Sequence, residues 1–189
     1  MVKIIKPSWE IWNFDPQTLE IIEKAGRTAY KSEDKIDSES YKKFVRKIID
    51  SKHESVLEHR IVTVKLVCDR GVTHEIVRHR IGSYTQESTR YCNYSKDKFG
   101  GEITVIDIVD FVDGQQYQIW TEAMHSANKF YMDLIATGCP PQIARSVLPN
   151  SLKTEIVITY NLREWRYFFS LRTSKAAHPQ MREITLPLL

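Results

Sequence analysis

The chain has 189 residues, 42% hydrophobic and 27% charged, which excludes disorder and suits one domain, residues 1–189, with a sizeable core. Against 24 Asp and Glu stand 27 Lys and Arg, a net charge of +3, too mild for a general nucleic-acid coat, so any preference for anions must be local. Cys68, Cys92 and Cys139 form no CxxC pair, the opening MVKIIKPSWE lacks the apolar core of a signal peptide, and no run reaches the roughly 18 apolar residues of a membrane span; a cytoplasmic protein with reduced thiols and no membrane partner is expected.

VKIIK is β-prone and should end at Pro7. From Pro16 to about Tyr30, Leu19, Ile22, Ala25 and Ala29 recur at helical spacing. Ser38 reads as the N-cap of a second helix whose stripe is Tyr41, Phe44, Val45, Ile48 and Ile49. In RIVTVKLVCD, Val62, Val64, Leu66 and Cys68 alternate as a half-buried strand. GVTHEIVRHR reads as a helix opening after Gly71, and the aperiodic stretch 82–98 as a long ordered loop of the functional kind. EITVIDI suggests a strand. The longest helix should run from about Asp113 to Ala136 and stop at Gly138. PPQIARSVLP gives a short helix and SLKTEIVITY a strand. NLREWRYFFSLR is a helix with Leu162, Trp165, Phe168 and Phe169 inside, and HPQMREITLPLL a last helix ended by Pro187. Strands separated by helices make an α/β domain of the α+β type, with strand directions unreadable.

Several motifs invite chemistry and fail on spacing. Neither GxGxxG nor GxxxxGK[ST] occurs, so no Rossmann turn or P-loop is present. In HESVLEH the histidines His53 and His59 lie six apart, not the four that puts two imidazoles on one helical face, so no metal site is expected. The segment reads instead as a helix C-terminus with Ser55 capping the next element, or with His53 turned into a ligand site. Cys139 precedes two prolines and has no assignable base, so it is not taken as a nucleophile.

RHRIGSYTQESTR, Arg78 to Arg90, resists such dismissal. As the last turn of a helix, Arg78, His79 and Arg80 would suit the macrodipole. That leaves Ser83, Ser88 and Arg90 unexplained in a loop with nothing to pack. Arginine matches phosphate bidentately, so an anionic ligand is the alternative.

The pattern Arg78-His79-Arg80, seven residues, Ser88-x-Arg90 resembles the signature of the flavin-dependent thymidylate synthases at every fixed position. AGRTAY (25–30), HESVLEH (53–59), ARSVLP (144–149), NLREW (161–165) and LRTSKAAHPQMREI (171–184) resemble further segments of that family, in order, over most of the chain. The resemblance implies a mixed or antiparallel sheet packed with helices and a homotetramer with sites between subunits. It implies synthesis of dTMP from dUMP, with methylenetetrahydrofolate as carbon donor, FAD as hydride carrier and NADPH as reductant, and without a cysteine nucleophile.

By the same carry-over, Arg90 and Arg145 hold the dUMP phosphate, Ser88 and Thr89 bind the nucleotide, and Gln86 borders its pocket from a neighbouring subunit. Arg172 stabilises the anionic pyrimidine and, with Ser88 as positioner, carries the chemistry. His53, Ser55, Arg78, His79, Arg80, Asn161, Arg163 and His178 are implied FAD contacts. This chain has Gln86 where some relatives have Glu, and AAHPQMREI is longer than the usual closing segment. Arg172, His178 and Arg182 therefore all stand as partners for the base. Two rivals are a flavin- or nucleotide-binding relative without synthase activity and an RNA-binding module stacking bases on Tyr84, Tyr91 and Tyr94.

Overall fold

A computed structural model describes residues 2–189, the side chain of Asp97 excepted. Its centre is an antiparallel sheet in the order β2-β3-β6-β4, formed by β2 (Ser8–Asn13), β3 (Ile61–Asp69), β4 (Ser83–Gln86) and β6 (Lys153–Asn161). Strands β1 (Lys3–Ile5) and β5 (Thr104–Ile106) make a separate parallel pair. The long β3–β6 ladder runs from Ile61 opposite Asn161 to Asp69 opposite Lys153. Alternation decides which face is covered: Val64, Leu66 and Cys68 of β3 and Ile156, Ile158 and Tyr160 of β6 are all buried.

That face packs on α3 (Arg70–Ile76), α6 (Leu162–Arg172) and α7 (Pro179–Leu188), which contribute Val72, Ile76, Trp165, Phe168, Met181 and Ile184. A second cluster forms under α4 (Gly114–Ala136) and α5 (Pro141–Ala144) around Tyr131, Ile103, Val105 and Leu152. A third, around Ile22, Val45 and Leu57, joins α1 (Thr18–Tyr30) to α2 (Ser40–Asp50) and to the 3-10 turn Glu54–His59.

The predicted long helix has both its predicted ends. Asp113 and Gln116 form a reciprocal capping box with α4, at 2.9 and 3.1 Å. At the other end Gly138 takes φ +86°, its N–H donates to Ile135 O, and the Cys139 N–H donates to Leu134 O, a Schellman stop.

Other expectations are corrected. Strand β2 directly follows Pro7, and all six of its residues are exposed, so no alternation marks it in the sequence. Ser38 does not cap α2; Glu39 holds that position without a side-chain bond, and the Ser40 hydroxyl donates to Glu23 and accepts from the Asp37 N–H. Helix α3 starts at Arg70, capped by Asp69 accepting from the Val72 N–H at 2.6 Å, and ends at Ile76. Arg78, His79 and Arg80 thus lie beyond the helix rather than in its last turn. Ser55 caps nothing: it sits exposed within the 3-10 turn, which no side chain caps. The aperiodic stretch contains β4, too short to show a period. Pro187 lies inside the last turn of α7, which continues to Leu188.

Candidate functional site

The signature segment turns on one buried histidine. His79 is only 4% exposed, while Arg78 and Arg80 on either side are exposed. Its backbone N–H donates to Ile76 O, and its carbonyl accepts from the Tyr84 hydroxyl. Tyr84 and Tyr160 share a hydrogen bond of 2.7 Å, so β4 is tied through β6 to the turn that carries His79. Gly82 makes this approach possible: a Cβ there would sit 2.3 Å from the Tyr160 ring.

The imidazole lies 5.0 Å from the Phe168 ring, edge to face, and its two nitrogens meet different partners. Nδ1 is 2.8 Å from Glu164 Oε1; Nε2 accepts from Arg172 Nε at 3.1 Å. A guanidinium can only donate, so Nε2 must carry a lone pair. The proton therefore sits on Nδ1 and is donated to the Glu164 carboxylate. Burial holds the imidazole below its ordinary pKa, assisted by the Arg172 charge and opposed by Glu164. Arg172 is clamped from its other side by Glu75, with Nη1 donating to Oε2 at 2.7 Å and Nη2 to the carbonyl at 2.9 Å. The result is a four-member chain, Glu164–His79–Arg172–Glu75, that fixes a guanidinium in a partly dry setting.

His79 turns into the protein, where Glu164 and Arg172 occupy its two ring nitrogens. The motif announced a cationic histidine beside arginines, and the fold makes it a neutral acceptor. Glu75 and Glu164 were missed because their partners lie 97 and 85 residues away in sequence.

A second group lies around α5. Arg145 is exposed, and its Nη1 donates to Thr89 Oγ1 at 3.0 Å. Both residues line a cavity of about 520 Å³ that also contains Arg70. Arg70 Nη1 is buried without a hydrogen-bond partner. A buried guanidinium N–H with no acceptor is costly, and an anion in this cavity would satisfy it. Arg70 escaped the sequence reading because it opens α3 with no motif around it.

Ser88 and Arg90 stand close together, the Arg90 N–H donating to Ser88 Oγ at 3.3 Å. The Arg90 guanidinium lies 5.5 Å from the centre of the Tyr91 ring. Arg78, Arg80, Arg90 and Arg145 have no carboxylate partner among the described residues. Ser88 has neither a histidine nor a carboxylate bonded to its hydroxyl among those residues. Cys68 is fully buried, and burial pushes its thiol and that of Cys92 upward in pKa.

The remaining residues are dispersed within one chain. Asn161 and Arg163 line a cavity of about 560 Å³ along α6, together with Ile81 and Tyr167. The Asn161 side chain caps α6 by accepting from the Glu164 N–H at 2.8 Å, and Arg163 pairs with Glu58 at 2.6 Å. His53 borders another cavity, its Nδ1 3.4 Å from the Tyr30 hydroxyl. Gln86 turns its amide inward, donating to Thr73 and Thr154 at 3.0 and 3.3 Å, beside yet another cavity. His178 stands exposed just before α7. Among the described residues no helix is long and apolar enough to cross a membrane.

The family model described as thymidylate synthase complementing protein matches residues 10–189. A flavin-dependent thymidylate synthase of Pyrococcus abyssi is 33% identical over 184 residues, covering 94% of this chain and 75% of that protein. The chain belongs to the flavin-dependent thymidylate synthase family. The Geobacter sulfurreducens member is also 33% identical, over 82% of this chain and 66% of its own length. Among solved structures, a UMP/dUMP methylase of Streptomyces cacaoi bound with 5-Br dUMP aligns at TM-score 0.80 and 28% identity, over 98% of this chain and 88% of that one. Thymidylate synthase X of Helicobacter pylori, with FAD and dUMP, shares the fold at TM-score 0.79 and 21% identity, over 96% and 91% of the two chains. The family thus accounts for the α+β architecture expected from the sequence.

Proposed function

We propose that the chain methylates dUMP reductively to dTMP, taking the one-carbon unit from methylenetetrahydrofolate, with FAD as hydride carrier and NADPH as the reductant. The observation that carries this reading is the pairing of a rigidly held Arg172 with arginines that lack an acid partner among the described residues. Such an arrangement suits a ligand with an anionic tail and a ring on which negative charge develops.

The residues divide the work accordingly. Arg145, Arg70 and Thr89 form a cradle for the dUMP phosphate, and Arg90 supplies a further charged fork to the same dianion. Ser88 positions the nucleotide; without an adjoining base it does not attack carbon 6. Arg172 retains two uncommitted N–H groups beyond its bonds to His79 and Glu75. It directs them at the pyrimidine edge and stabilises the ring as its anion, which raises electron density at carbon 5. His79 and Glu164 hold that guanidinium in place and so spare the reacting complex the reorganisation.

Exposed Arg78 and Arg80, with Asn161 and Arg163 at the head of α6, suit a dinucleotide cofactor whose pyrophosphate is anionic. Bound FAD supplies the hydride that completes the methyl group. The nucleotide and flavin residues face different cavities of one chain. Assembly as a homotetramer, with each site drawing on several copies, would bring them together, and Gln86 and His53 would then enter from neighbouring subunits.

The deciding experiment is tritium release from dUMP labelled at carbon 5. Release that requires both the folate and NADPH supports the synthase. Flavin uptake without release identifies a binding relative that does not synthesise, and failure to take up flavin at all overturns the reading.

A further inference from the structure

A cavity of about 800 Å³ between α1 and α2 lies outside the nucleotide and phosphate groups just described. Lys35, Lys43 and Lys47 stand on its wall. Lys43 and Lys47 are four residues apart on α2, so they share one helical face and repel each other. Lys35 comes from the facing 3-10 turn. None of the three has a carboxylate partner among the described residues, and no other interaction occupies them.

The other charges in the cavity are already committed. Arg27 is neutralised by the buried Glu23, with Nε and Nη2 donating to Oε1 at 2.9 and 2.7 Å. Glu39 pairs with Lys42, and Asp37 accepts from the Glu39 N–H at 2.8 Å. Three free lysines against Asp37 leave the cavity clearly cationic. Phe44 and Ile48 add apolar lining, and Tyr30 and His53, 3.4 Å apart at the hydroxyl and Nδ1, border it as well. The next residue in sequence, Glu54, lines the cavity that holds Asn161 and Arg163.

We propose that this cavity binds the polyanionic tail of a co-substrate whose reactive head lies beyond His53. The recognising chemistry is a chain of anionic groups spaced to reach successive lysines. Two co-substrates of the proposed reaction carry one: the γ-linked glutamyl carboxylates of the folate, and the phosphates of the pyridine dinucleotide. The identity of the ligand rests on the synthase reading, whereas the affinity for a polyanion rests on the lysines alone.

The test compares the full chain, loaded with FAD and dUMP, with a Lys35→Gln/Lys43→Gln/Lys47→Gln variant, which removes the charges and keeps polar side chains one atom shorter. Equilibrium binding is measured for pteroylpentaglutamate against the monoglutamate, for NADPH against NADH, and for free γ-linked pentaglutamate. In the variant, one of the polyanionic forms is expected to bind about tenfold more weakly at low salt, with its less charged counterpart and dUMP unaffected. A loss confined to pteroylpentaglutamate assigns the glutamyl tail; a loss confined to NADPH assigns its 2′-phosphate, and a loss shared by NADPH and NADH assigns the pyrophosphate that both carry. Equal binding of every probe by the two proteins overturns the proposal. If no tritium is released yet free pentaglutamate still distinguishes the two proteins, the synthase reading fails and the anion site stands.

Discussion

The buried chain around His79 and the arginines that surround it differ in one respect: the first is electrically complete and the second is not. Glu164 and Glu75 satisfy His79 and Arg172 from within the fold. Arg78, Arg80, Arg90 and Arg145 lack any such acid among the described residues, and a buried Arg70 N–H has no acceptor. The interior fixes one guanidinium through two carboxylates, and the surface leaves four others without countercharge among the described residues. A completed network gives rigidity; an unfinished one gives affinity.

Arg172→Ala should have the largest effect. It removes the fixed cation and exposes the buried His79–Glu164 pair. Turnover should fall by about a hundredfold or more, as for loss of a preorganised donor. Flavin uptake, followed by its visible absorbance, should persist. Arg90→Ala and Arg145→Ala act on the unfinished side, where each lost charged hydrogen bond is worth about 1.5–3 kcal/mol. Weakening of dUMP binding by roughly ten- to a hundredfold is expected, with the thermal midpoint little changed; calorimetric titration and melting measure the two. Normal dUMP binding by both variants would remove the phosphate assignment.

Gly82→Ala tests whether β4 must approach Tyr160 closely. Overpacking of this kind costs about 1–3 kcal/mol, readable as a shift in the urea midpoint. His79 gives a pH signature of smaller size. Its pKa is lowered on folding, so the unfolded chain binds the proton more readily. This contribution to stability is complete above the ordinary histidine value near 6.5 and is lost as pH falls below it toward the folded value. His79→Asn should flatten the urea midpoint across that window. The smallest effect belongs to Cys139→Ala: its thiol donates to the Pro140 carbonyl at 3.8 Å and packs at the margin of the α4–α5 cluster, and turnover should be unchanged.

Much of the fold was legible because it rests on local rules. Leu152, Thr154, Ile156, Ile158 and Tyr160 alternate without interruption, and every one is buried as the alternation requires. Asp113 and Gly138 bracket α4 because capping bonds reach only a few residues along the chain. β2 and β4 escaped for the opposite reason. β2 exposes Trp9 and Trp12, and β4 has only four residues, so partner strands, not a sequence period, define them.

The same boundary runs through the candidate site. The family was readable in the residues alone, through the signature from Arg78 to Arg90, and so was the concentration of arginine around it, since side-chain chemistry travels with residue type. Only the tertiary structure decided that His79 is buried and neutral, that Glu75 and Glu164 hold Arg172, and that Arg70 joins Arg145 and Thr89. Those outcomes depend on groups far apart in sequence meeting in a low-dielectric interior, where one nearby carboxylate or guanidinium sets which nitrogen holds the proton.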